Sequence, residues 1–120
     1  MIQNVPALRM NQQQVAQLMS HLTVYRAYLW QRVIPTPERN HTIHLMQTMQ
    51  GRLAYEQQQG HADLTFPLSK EEAQTLQRVF SGLMRLHGNA PRSEQRLHML
   101  GEIAALRVLV EHLLRQTQAL

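Results

Sequence analysis

Apolar residues in this chain recur at a helical spacing, and that periodicity is broken at three places. The breaks limit the fold more than any other feature, because each stretch between them is long enough for several helical turns. Pro35 and Pro37, in IPTPERN, end the first stretch and restart the chain; Thr36 suits the N-cap and Pro37 the first helical position. Gly60 closes the second stretch. Ser69 followed by Glu72 matches the S-x-x-E capping box and opens the third. The segment GNAPR, with Asn89 and Pro91 as turn formers, separates the third from the fourth.

Four helices are therefore expected, at about residues 11–34, 37–59, 70–87 and 93–118, with residues 1–10 as an N-terminal tail. Their apolar stripes run through Val15, Leu18 and Leu22, then Met46, Met49 and Leu53, then Leu76, Phe80 and Leu83. HADLTFPL at 61–68 has period-2 character, but Pro67 argues against a central strand. It reads as an extended loop tucking Leu64, Phe66 and Leu68 over one end of the helices. With 120 residues, no internal repeat and no long linker, the expected architecture is all-α: a single-domain antiparallel four-helix bundle.

The fourth helix is unusual. Met99, Leu106, Leu109, Val110 and Leu113 cover one side, and Leu100, Ile103, Leu114, Leu97 and Val108 continue round it. Well over half of its circumference is apolar, where a surface helix needs a stripe only somewhat wider than 100°. A four-helix bundle has no central helix, so the excess is expected to pack on a second chain. The expected interface comprises Met99, Leu106, Arg107, Leu109, Val110, Glu111 and Leu113. Gly101 and Ala105, four residues apart, leave a strip of small side chains beside it.

Arg107 projects within that apolar sector, as Arg26 does on the first helix. A buried unpaired charge costs several kcal/mol, so each needs a partner. Glu111 lies one turn beyond Arg107, and Glu56 and Glu102 are further carboxylates. Otherwise the long stems cover apolar surface while the heads reach water.

Composition narrows the function. The net charge is +4, carried by eleven Arg and one Lys, Lys70. Arg favours planar contacts to phosphate and carboxylate. Arg32, Arg39, Arg52, Arg78, Arg85, Arg92 and Arg96 could give a salt-dependent grip on an RNA or DNA backbone. The absence of Cys excludes disulfides and thiolate chemistry. Asp63 is the only Asp, and no Gly-rich phosphate loop or nucleophile elbow appears, so no enzymatic activity and no cofactor are expected. His98 lacks the downstream Lys of a phosphorelay histidine, since Gly101 stands there.

Glu38 and His41 form one E-x-x-H, extended by His44. Di-iron bundles need two such motifs and two further Glu residues, and only one motif is present. A metal site at these three residues is the weakest functional expectation. The N-terminus has no apolar leader segment and the longest apolar runs are four residues, so a cytoplasmic protein with no membrane contact is expected. The leading functional expectation is a non-catalytic assembly or adaptor module that forms homo-oligomers and docks a protein partner. Accessory binding of nucleic acid is the alternative.

Overall fold

A computed structural model describes residues 7–89, 91 and 93–118. The chain is mostly helical. In order it forms β1 (Ala7–Asn11), α1 (Gln12–Arg32), α2 (Pro37–Gln59), β2 (Asp63–Pro67), α3 (Lys70–Gly88) and α4 (Glu94–Gln118).

Local chemistry accounts for the helix ends. Thr36 Oγ1 accepts from the Arg39 N–H at 3.1 Å, with Pro37 opening α2. Gly60 ends α2 at φ +71°, a left-handed cap that costs glycine nothing. The Ser69 hydroxyl accepts from the Glu72 N–H at 3.1 Å, and the Glu72 carboxylate accepts from the Ser69 N–H at 2.9 Å. A second capping box, Asn11 with Gln14, starts α1. Ser93 Oγ accepts from the Arg96 N–H at the start of α4.

Two expectations are corrected here. Residues 7–10 are not tail but, with Asn11, a strand, and residues 63–67 are not a loop: the two pair antiparallel, with Leu8 opposite Phe66 and Met10 opposite Leu64. Leu8, Met10, Leu64 and Phe66 are all buried, while alternate residues face outward. The period-2 signal in 61–68 was a strand signal. Pro67 is compatible with it because both members of a two-stranded ribbon are edges. The expected all-α class broadly holds, as four helices with a small two-stranded sheet added.

Inside lies one apolar cluster fed by every element. Its largest fully buried side chains include Phe66, Phe80, Met46 and Met49. On α2 the buried row is Ile43, Met46, Met49, Gln50 and Leu53. Helices α1 and α2 pack together, as do α3 and α4, and α1 also touches α3 and α4. At the α1–α3 contact Gly82 is required by close approach, since a Cβ there would lie 2.5 Å from the Tyr25 hydroxyl oxygen.

Two outcomes follow from this packing. Met10→Ala is expected to lower unfolding stability by about 2–5 kcal/mol, as for other buried Met sites, where a free tail would give no change; urea unfolding measures it. Gly82→Ala is expected to destabilise the wild-type chain through Tyr25. In a Tyr25→Ala background it should stabilise by about 0.5–1 kcal/mol, because Ala is the better helix former once the clash is gone.

Candidate functional site

Helix α4 carries the features most suggestive of function, and its two sides differ. Ile103, Leu106, Val110, Leu113 and Leu114 are buried in the core of the chain itself. Three of the residues expected at a subunit interface, Leu106, Val110 and Leu113, are therefore taken up internally. Met99, Leu109, Arg107 and Glu111 are half-buried along the margins. The reason is that α4 is covered by α3, by α1 and by β1. The broad apolar belt that suggested a second chain is largely explained by these three neighbours.

What remains is the opposite side. At about 100° per residue, Glu94, Leu97, His98, Gly101, Ala105, Val108, His112 and Arg115 form a sector facing away from the core. All eight are exposed. Leu97 is 58% and Val108 61% exposed, an apolar pair on a helix whose other face is already satisfied. Sequence reasoning placed these two at the edge of the belt, and they lie on its outer, exposed side.

Arg107 has the partner its position demanded. Its Nε donates to Glu111 Oε1 at 2.9 Å, and Nη1 donates to the Met84 sulfur at 3.4 Å. The pair is partly open to water, so it orients the guanidinium more than it stabilises the fold. Arg26 is held by an amide rather than by a carboxylate. Its Nη1 donates to Gln50 Oε1 at 2.8 Å, and Gln50 Nε2 donates to Thr23 Oγ1. This ties α1 to α2 through a buried Gln that carries no sequence signal of its own.

A histidine cluster joins α1, α3 and α4. His21, on the buried row of α1, lies with Nε2 3.2 Å from Glu102 Oε2. His98 Nε2 approaches Glu102 Oε1 at 3.4 Å. His87 Nε2 is buried and has no hydrogen-bond partner among the described residues. Arg96 Nη1 donates to the His87 carbonyl at 3.3 Å. Burial holds the His21 pKa below its ordinary value, although Glu102 pulls the other way. Burial lowers His87 as well, and the nearby Arg96 and His21 add to this. The signal for His21 was its place in the apolar stripe, between Leu18 and Leu22.

The Arg set separates into two groups. Arg39 donates to the carbonyls of Leu29 and Val33, closing the end of α1, and lies over Trp30. Arg52 donates to Glu72 Oε2 and to the Pro67 carbonyl and stacks over Phe66, clamping α2 to β2 and the start of α3. Arg96 is the third with an internal bond. Arg32, Arg78 and Arg85 are exposed, and Arg92 lies outside the described residues. Arg78 and Arg39 both line an open cleft of about 240 Å³ among α1, α2 and α3, over an apolar floor of Leu29, Val33 and Val79.

Glu38, His41 and His44 are exposed, and His41 Nε2 is bonded instead to Glu71 Oε1 at the start of α3. Among the described residues no three His, Cys, Asp or Glu side chains come together so as to hold a metal ion. No helix among them is long and apolar enough to cross a membrane. Comparison with protein-family models, curated proteins and solved structures finds no significant match.

The histidine cluster sets a pH dependence. The folded-state pKa values of His21 and His87 lie below the unfolded value near 6.5. Their contribution is therefore present above pH 6.5 and lost as pH falls below it, because the unfolded chain then binds more protons. Unfolding free energy measured by urea titration should decline below that pH, with a shallower slope in His21→Gln and shallower still with His87→Gln added.

Proposed function

We propose that this chain is a non-catalytic helical assembly module, its helices closed as an antiparallel bundle, which self-associates through α4 and docks a protein partner. The observation that carries this reading is the outer face of α4. A solvent face of a helix is normally polar. Here Leu97, Gly101, Ala105 and Val108 lie along it, with His98 and His112 among them and Glu94 and Arg115 towards its ends. An apolar row of this kind on an otherwise satisfied helix marks a contact surface. Arg107 and Glu111, on the flank of the same helix, give that contact a polar margin.

Backbone binding of RNA or DNA by exposed Arg residues is the second reading. In its favour, Arg78 and Arg85 are exposed two turns apart on α3, and the chain carries a net charge of +4. It has less material than the sequence suggests, because Arg39, Arg52 and Arg96 make internal bonds. Filter binding at low and high salt separates the two, since phosphate contacts weaken steeply with salt.

Light scattering across a concentration series tests self-association. The expected mass is at least twice the 14.0 kDa of one chain. Val108→Glu, at an exposed site, should return the mass to one chain with little change in thermal stability. A wild-type protein of single-chain mass at every concentration would overturn the proposal.

A further inference from the structure

We infer that the occupant of the α4 outer face is the same helix of a second copy, running antiparallel, with Val108 of each chain seated over Gly101 of the other. The inference rests on the self-association proposed above and adds its geometry.

Gly101 gives the first reason. Glycine within a helix costs roughly 1 kcal/mol relative to Ala. Nothing inside the chain calls for it, because a Cβ at Gly101 would meet no atom within 4 Å. Gly51 on α2 is equally free, but of its exposed neighbours Gln47, Thr48 and Tyr55 only Tyr55 is apolar. Gly101 instead sits between exposed Leu97 and Ala105, with Val108 two turns along. A hollow and a projection on one apolar row complement each other when the row meets its own copy reversed.

Charge gives the direction. The outer face begins with Glu94 and ends with Arg115, both exposed. A parallel pair would set Glu94 against Glu94 and Arg115 against Arg115. An antiparallel pair sets Glu94 against Arg115 at both ends and opposes the two helix dipoles. The register agrees with this independently. Seating Val108 opposite Gly101 brings the exposed Ala105 of both chains beside the two-fold axis, Leu97 opposite His112, and Glu94 opposite Arg115. One alignment therefore satisfies the hollow, the small-residue centre and the charged ends. The contact is isologous, so it closes at two chains.

The absence of Cys makes the test clean. Leu97→Cys and His112→Cys chains, both altered at exposed positions, are mixed and oxidised. The expected product is the mixed disulfide. Each variant alone should cross-link at least tenfold less, because identical positions then lie about 22 Å apart along the helix axis. Efficient self-cross-linking of either variant alone would mean a parallel pair and would overturn the inference. So would a dimeric mass with no mixed disulfide, which leaves self-association standing. A single-chain mass overturns both. As a second measurement, Glu94→Arg should raise the dimer dissociation constant by roughly threefold to tenfold, with recovery when Arg115→Glu is added in the same chain. Lack of recovery would count against the antiparallel pairing of ends.

Discussion

The inner belt of α4 must be covered on several sides at once, and the other elements are arranged to do so. Ile103, Leu106, Val110, Leu113 and Leu114 are all buried, and more than one neighbour covers them. Helix α3 covers the largest part, α1 another, and β1 reaches the remainder. Burial of each such side chain contributes roughly 1.5–3 kcal/mol before entropy is counted. A bare helix hairpin of α3 and α4 would leave part of that surface wet. The N-terminal strand is thus a working part of the core, and α1 is held in place by what it covers.

Polar groups in the interior are few and bridge elements. Gln50 with Arg26 and Thr23 joins α1 to α2, and His21 with Glu102 joins α1 to α4. Arg52 joins α2 to β2 and to the Glu72 of the α3 cap. Such bonds add modest net stability, but a buried donor or acceptor left unpaired costs considerably more. They therefore penalise wrong packings of the helices more strongly than they reward the right one. The preference for Arg over Lys fits this use, since a flat guanidinium can stack on Trp30 or Phe66 while bonding to carbonyls in its plane.

Helix positions were legible because caps act locally. Thr36 with Pro37, Gly60, and Ser69 with Glu72 each declare themselves within four residues. The ribbon was not legible, because β1 carries only Leu8 and Met10 as inward apolar residues and its partner lies more than fifty positions away. No local pattern reports such a pairing. The candidate interface was half legible. Periodicity found the broad apolar surface of α4, but which part of it the chain buries depends on neighbours that include the unforeseen strand. Arg107 with Glu111 was readable from one-turn spacing, whereas Arg26 with Gln50 and His21 with Glu102 depend on tertiary placement.

Asn11 is the last residue of β1 and the N-cap of α1, so one residue ends the ribbon and starts the helix. Because β1 pairs with β2, the ribbon clasps α1 and α2 into a closed loop that is complete by Pro67. Chain synthesis runs from the N-terminus, so every residue of this clasp leaves the ribosome before α3 does. Closing a loop of this length carries an entropic cost that grows only slowly with its size. The ribbon therefore fixes α1 and α2 as neighbours by contacts that all precede α3 in the chain.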